Sequence, residues 1–555
     1  MAAQAAASYD YIIVGAGSAG CVLANRLTAS GRHRVLLIEA GGHDRNIWIH
    51  IPLGYGKLFD NPSVNWLYKT EPEPELGGRQ IIQPRGKVLG GSSSINGLLY
   101  VRGQHEDFDH WRQLGNAGWG FTDILPYFRR AEDQERGADE WHGSGGPLAV
   151  SNVSEPHPLC EAFIEAAQQA GHPRNDDFNG ETQEGAGYFQ LTTRNGRRWS
   201  TAAGYLAQAR RRPNLTVATD ALATRLLFSG RRALGVEYRQ GDRLVTAHAN
   251  AEVLVAGGAI NSPQLLQLSG LGPADLLRSH GIEVVADIPG VGADLQDHYQ
   301  VRIQYRCSEP ITMNDVINSW HHRMRAGLRY MVSRKGLLTI GAGYAGAFLR
   351  TRPELATPDV QIHLLIFSAD TAGAGLHPFP GFMTSVCQLR PESRGFVHIK
   401  SADPAAAPAI QPRYLSTRND CDTTVAGLKL LRGVMNQPAM RRLIAEERAP
   451  GPACTSDADL LAFSRATGTT VYHPTSTCRM GPDAQAVVDE RLRVRGFEGL
   501  RVIDGSIMPT VVSGNTNAAV VMIAEKGADM VLEDAAAAKP VAISPLIPAQ
   551  AAIQH

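Results

Sequence analysis

Two side chains near the end of the chain have the right chemistry to act on a hydroxyl group. His473 stands in the segment Val471-Tyr472-His473-Pro474-Thr475-Ser476-Thr477-Cys478-Arg479-Met480-Gly481, and Asn517 opens the apolar run Asn517-Ala518-Ala519-Val520-Val521-Met522-Ile523-Ala524. An imidazole with its ordinary pKa near neutrality can take a hydroxyl proton, while a carboxamide hydrogen-bonds the same oxygen and holds it still. The pair suits oxidation of an alcohol, with His473 as base and Asn517 as the orienting group. Neither side chain accepts a hydride, so a redox cofactor is required.

The opposite end of the chain supplies the elements to hold one. The apolar run Tyr9-Asp10-Tyr11-Ile12-Ile13-Val14 reads as a buried strand; Gly15-Ala16-Gly17-Ser18-Ala19-Gly20 follows, and then Cys21 to Leu27 with helical periodicity. In a strand, Gly-x-Gly-x-x-Gly, helix unit, the first glycine makes the turn, the second admits a pyrophosphate, and the third lets helix and strand pack closely. A second strand, Arg34-Val35-Leu36-Leu37-Ile38, ends at Glu39, an acid placed to bind ribose hydroxyls. This much suits NAD and FAD alike. A second glycine-rich stretch, Gly90-Gly91-Ser92-Ser93-Ser94, reads as the opening of a helix and adds backbone donors beyond those one pyrophosphate needs.

The stretch from Gly86 to Tyr100, the later Gly258-Ala259-Ile260-Asn261-Ser262-Pro263 and the His473 and Asn517 segments together resemble the signature segments and active-site pair of the glucose-methanol-choline (GMC) family of FAD-dependent oxidoreductases. The match runs in order from about Tyr9 to Leu532, and Leu295-Gln296-Asp297-His298 is most similar to bacterial dehydrogenases for choline, alkanols and sorbose. The resemblance implies an α/β fold: a Rossmann-like FAD-binding domain built from discontinuous segments, and an α+β substrate-binding domain with a mainly antiparallel sheet. It places FAD adenosine near Glu39 and Ala40, with Ala223 by the adenine, and the pyrophosphate near Gly15, Gly17, Ser18, Ala19 and Gly20. Gly91, Ser92, Asn96, Gly97, Leu98 and Leu99 would run along the flavin, with Asp504, Gly505, Asn515 and Thr516 completing the cradle. Val101 and Tyr472 are the candidate pocket residues. Relatives that tether FAD covalently carry a histidine where this chain has Ile95, so non-covalent binding is expected.

The expected reaction is conversion of a primary alcohol (aliphatic, aryl or sugar-like) to the aldehyde by hydride transfer to flavin N5, with a quinone or similar acceptor. Choline or sorbose oxidation, an oxygen-using alcohol oxidase, and an FAD-containing hydroxynitrile lyase are the alternatives. An NAD-linked dehydrogenase leaves the second glycine loop unexplained, and a non-catalytic flavin module leaves His473 and Asn517 without a task.

Composition fits a large globular enzyme: 555 residues, 43% apolar, with 54 basic residues balancing 54 acidic ones. A balanced charge offers nothing to attract nucleic acid. Seven scattered cysteines without CxxC spacing, and histidines 105, 110, 142 and 157 without ligand spacing, point to reduced thiols and no metal. No apolar run suits a signal peptide or a membrane span. The expected location is the cytoplasm, with peripheral attachment at the inner face of the membrane compatible with the composition. The domain reading assigns 1–155, 200–300 and 471–535 to the FAD-binding domain, 156–199 and 301–470 to the substrate-binding domain, and 536–555 to a tail without a packing partner. His363, alternating with apolar neighbours in Val360 to Ile366, is expected to be a satisfied core or solvated histidine.

Overall fold

The computed structural model describes residues 7–370 and 375–537. Most of the expected tail, 538–555, and part of the expected loop between 369 and 381 lie outside the described residues.

Two sheets organise the chain. In the first, β1 (Ala7–Val14), β2 (Val35–Ile38) and β3 (Leu215–Ala218) run parallel. The antiparallel meander β4 (Ala221–Ser229), β5 (Arg232–Gln240) and β6 (Arg243–Val255) joins them, because β6 from Ala247 to Val255 lies parallel to β1. Leu500–Val502, from the far end of the chain, adds a parallel strand beside β6. The central strands read as continuous apolar runs because both faces are covered: Ile12, Ile13, Leu36 and Leu37 are all buried. The sheet order β3-β2-β1-β6 opens a crevice at the carboxyl ends of β1 and β6, the usual place for a ligand in such sheets.

The second sheet is antiparallel throughout. Its strands are β7 (Tyr299–Cys307), β8 (Ala345–Leu349), β9 (Val360–Leu365), β10 (Gly381–Gln388) and β11 (Ile444–Ala449), in the order β11-β7-β10-β9-β8, extended by Gly185–Tyr188 and Thr469–Thr470. Phe396–His398 is a strand as its sequence predicts, but it pairs with Ala409–Gln411 apart from this sheet. Val397 N–H donates to Gly292 O at 2.7 Å, which draws the segment toward the first sheet.

Two helices bring the ends of the chain together. Helix α1 (Ser18–Thr28) follows the first glycine turn, and the C-terminal helix Asn517–Ala537 packs against it. Their seam holds a buried carboxylate, Glu525, which accepts hydrogen bonds from Arg26 (2.7 and 2.8 Å), Arg130 (2.9 Å) and Tyr205 (2.7 Å). A buried carboxylate so completely paired adds register more than net stability, since desolvation offsets much of the Coulomb gain. The consequence is positional: both helices start at the same crevice.

Candidate active site

A cavity of about 880 Å³ lies between the two sheets, toward the upper end of the range for ligand sites. One end is walled by the glycine turn after β1. Gly15 has φ +100°, and a Cβ there would meet Ala256 O at 2.6 Å; Gly17 has open space before it. Gly20, expected both to let the helix pack closely and to stand among the cofactor residues, does only the first: it does not line the cavity, and a Cβ on it would meet Gly15 O at 1.8 Å. Glu39 lies in the wall with its oxygens accepting from Ala16 N–H (2.9 Å) and Gly41 N–H (2.8 Å). Burial pushes its carboxyl up to about 7, against the pull of these two donors.

The stretch Gly91–Ser94 forms a single 3₁₀ turn instead of opening an α-helix. Ser93 Oγ donates to Gly90 O at 2.6 Å and Ser94 Oγ to Leu89 O at 2.7 Å, so the hydroxyls bond back to the backbone and compete with helix continuation. Gly91, Ser92, Asn96, Gly97, Leu98 and Leu99 follow along the cavity wall, as do Ser18, Ala19, Ala40, Ala223, Asp504, Gly505 and Thr516. Ile95 is wall as well, with its apolar side chain packed near Ile49, Leu58, Val64 and Val88. Val101 is the exception. It is fully buried in a cluster with Phe178, Phe189 and Phe348 and does not reach the cavity. After the turn at Leu98 (φ 73°), the chain passes beneath the wall.

His473 lines the cavity and is held from three directions. Pro474 disfavours helical geometry for the residue before it. Tyr472 adopts φ 70°, a strained conformation for a bulky side chain, fixed by Arg85 donating to its carbonyl at 2.7 Å and by its own N–H donating to Thr470 Oγ1 at 2.6 Å. Asp297 accepts from His473 N–H at 2.7 Å, and also from Thr470 (2.6 Å), Tyr414 (2.5 Å) and Gln83 (3.2 Å).

The imidazole's tautomer follows from its neighbours. His298 Nε2 lies 2.9 Å from Leu389 O; a carbonyl only accepts, so His298 carries its proton on Nε2. Burial lowers the pKa of His298, which keeps it neutral and leaves its Nδ1 as an acceptor. That Nδ1 is 3.0 Å from His473 Nδ1, so His473 donates through Nδ1 and presents an unprotonated Nε2 to the cavity. Burial, with His298, His363 and Arg85 nearby, holds the His473 pKa well below the usual imidazole value. It is a neutral base at physiological pH.

The side chain that faces this nitrogen is Asn515. Its Nδ2 donates to His473 Nε2 at 3.1 Å. Asn517, the expected partner, instead accepts a hydrogen bond from Ser18 Oγ at 2.7 Å, at the start of α1. The difference arises where the helix begins. Val520 N–H bonds to Thr516 O, so Asn517 is already helical and turned toward the glycine loop, whereas Asn515 lies in the non-helical approach after Gly514 (φ 149°).

Above the base, the second sheet contributes a polar row. Arg302 pairs with Ser385 across β7 and β10, and Ser385 with His363 across β10 and β9; all three line the cavity, with Gln300. His363 is therefore cavity wall, at 3.3 Å from Ser385 Oγ, and burial drops its pKa to about 3. Arg302 Nε is buried without a hydrogen-bond partner, and Arg302 forms no ion pair among the described residues. The row was missed because it depends on strand register; its one signal in sequence is the period of two that sets Gln300 with Arg302, and Gln361 with His363, on the same side of their strands.

The residues fit an extended dinucleotide. Two helix N-termini, an open space before Gly17 and a carboxylate at the tip of β2 stand at one end, and a neutral base stands at the other.

Comparison with known proteins agrees with this geometry. The sequence matches two profiles described as GMC oxidoreductase, over residues 9–300 and 391–524. It is 43% identical over 528 residues to an alcohol dehydrogenase [acceptor] of Pseudomonas putida, covering 94% of this chain and 96% of that one. It is 46% identical over 530 residues to an oxygen-dependent choline dehydrogenase of Pseudomonas aeruginosa, covering 94% of each. The fold superimposes on pyridoxine 4-oxidase from Mesorbium loti with a TM-score of 0.85 at 31% identity, over 94% of this chain and 99% of that one. The chain belongs to the GMC oxidoreductase family.

Proposed function

We propose that this protein is an FAD-dependent oxidoreductase that converts a primary alcohol to its aldehyde. The observation that carries the reading is the pairing of an unprotonated His473 Nε2 with Asn515 Nδ2 at 3.1 Å in the cavity wall. His473 takes the hydroxyl proton at Nε2, and the Asn515 amide, turning from the imidazole to the substrate, donates to the alcohol oxygen and steadies its developing negative charge. Bound FAD supplies the hydride acceptor, flavin N5. Asn517 and Ser18, joined at the two helix N-termini, belong to the cofactor cradle, and the helix dipoles there favour the diphosphate's negative charge.

The substrate favoured by the wall is neutral. Among the described lining residues the carboxylates are Glu39 and Asp504, and both are engaged: Glu39 as above, Asp504 by Gly258 N–H (2.8 Å) and Ser262 Oγ (2.6 Å). The row over the base carries the cation Arg302 instead. A quaternary ammonium next to an unpaired guanidinium is repelled, so the choline reading suggested by relatives is second to an aliphatic, aryl or sugar-like alcohol. The apolar Ile95 supports non-covalent FAD; acid precipitation should release all the flavin into the supernatant. A quinone-type acceptor is in keeping with the relative named for an unspecified acceptor.

The test is anaerobic bleaching of the flavin across a panel of alcohols that includes choline, followed by reoxidation with oxygen or a quinone analogue. Bleaching by neutral primary alcohols with faster reoxidation by the quinone is expected. Failure of every alcohol to bleach the flavin refutes the reading, and preference for choline refutes the substrate assignment.

A further inference from the structure

Helix α2 (Trp320–Ser333) has an apolar face that nothing in the described chain covers. Trp320, Met324, Leu328, Met331 and Val332 are each between 52% and 86% exposed, and they are five of the large apolar side chains that stand out in solvent. At about 100° per residue, Trp320, Met324, Leu328 and Met331 fall in a stripe roughly 80° wide. Away from the stripe, Tyr330 is buried and Arg323 and Ala326 line the cavity, with Gly327 lining it at the stripe's edge. A continuous exposed stripe of this kind marks an interaction surface.

Charge identifies the partner. From Val316 to Leu349 the chain has Arg323, Arg325, Arg329, Arg334 and Lys335 and not one Asp or Glu, in a protein whose overall charge is balanced. Of these, Arg329 pairs with Glu155, and among the described residues the others form no ion pair. Apolar residues flanked by unpaired cations match a surface that is apolar below and anionic above, which is the interface of a bilayer with acidic headgroups. A second copy of the chain is a poor match, because a two-fold contact would set arginines against arginines. No helix among the described residues is long and apolar enough to cross a membrane, so this one would lie in the plane of the interface.

We propose that helix α2 docks the enzyme flat on an anionic lipid surface, with the cavity mouth turned toward the membrane. Trp48, 41% exposed beside Ile47 at 64%, lines the same cavity as Ile317 and Arg323, so the apolar rim continues beyond the helix. The proposal deepens the functional reading above and rests on it for its purpose: substrate or acceptor reaches the base from the lipid.

The experiment is co-sedimentation of the FAD-loaded enzyme with vesicles, without alcohol or acceptor, so its result does not depend on the reaction. With phosphatidylcholine and phosphatidylglycerol at about 2:1, partitioning should be roughly tenfold stronger than with phosphatidylcholine alone, and salt should weaken it. The double variant Leu328→Glu with Met331→Glu should lose roughly tenfold in partitioning, and Arg325→Glu should lose the preference for the anionic vesicles. None of these side chains lines the cavity, so FAD content and flavin reduction by a water-soluble alcohol should stay unchanged, which also shows that the variants fold. Absence of sedimentation by the unaltered enzyme overturns the proposal, as does equal binding by the variants. So does self-association through this face in ultracentrifugation without vesicle binding. Loss of flavin reduction with every alcohol while vesicle binding persists would instead refute the functional reading.

Discussion

Asn515 and Asn517 are two residues apart and chemically identical, yet replacing them should have different consequences. Asn515→Ala removes the amide 3.1 Å from the base nitrogen. Loss of one preorganised donor to a developing oxyanion reduces turnover by about 10²–10³, or about 2.7–4 kcal/mol of barrier. Asn517→Ala removes the acceptor of the 2.7 Å bond from Ser18 in the cofactor cradle, away from the base. A net neutral hydrogen bond contributes about 0.5–1.5 kcal/mol, so its loss should appear as up to about tenfold weaker FAD binding with the reduction rate of loaded enzyme nearly intact. The assay is anaerobic stopped-flow reduction of flavin at saturating alcohol, on enzyme reconstituted to full FAD content, with FAD affinity measured separately. A larger fall in the reduction rate for Asn517→Ala than for Asn515→Ala would refute the assignment.

Other outcomes can be stated from the same geometry. His298→Ala takes away the acceptor that holds the His473 proton on Nδ1, so about 10- to 100-fold should be lost from the reduction rate with the pH profile displaced, while FAD remains bound; an unmoved profile would show that His298 only fills space. Glu39→Gln sets an amide NH₂ against one of the two main-chain donors that the carboxyl oxygens accept from, which distorts this part of the wall and should weaken FAD by about 10- to 100-fold, for about 1–3 kcal/mol, as read by flavin fluorescence titration. Burial opposes the charge of His142, but Asp177 at 2.8 Å and Glu132 at 3.1 Å overcome it and raise its pKa to about 9. A pKa raised by folding means stability that is complete below about 6.5 and lost as pH climbs through about 9, on the order of 3 kcal/mol in urea melts. His142→Gln should flatten that part of the pH dependence, and an unchanged slope would show that the imidazole is neutral.

Parts of this molecule could be read from sequence because their determinants are local. The run Tyr9 to Val14, the glycine turn and the tip of β2 at Glu39 follow one another within a single strand, helix, strand unit, and the cavity wall contains Gly15, Gly17 and Glu39 as that unit requires. The period of two in β9 likewise gave a strand. What escaped is set by direction and by distance along the chain. Whether residue 515 or 517 meets the imidazole depends on where the last helix starts, a matter of about half a turn. Asp297 and His298 reach His473 only because residues on either side of it pair with the start of β7 and the stretch just before it: Thr470 with Tyr299, and Thr475 with Gln296. Val101 carried the right motif but sits one layer too deep. The serine-rich turn misled because its hydroxyls bond to the backbone they were expected to release for a helix.

The seam around Glu525 has a bearing on biosynthesis. The first glycine turn leaves the ribosome long before the strand at Leu500, Asp504 and the helix that supplies Asn517. Until those later segments emerge, the nascent chain has half a socket, with Arg26 and Tyr205 lacking their shared carboxylate. Loading with flavin therefore waits until these segments have been made, and a protein truncated before Gly505 should accumulate as flavin-free material that depends on chaperones.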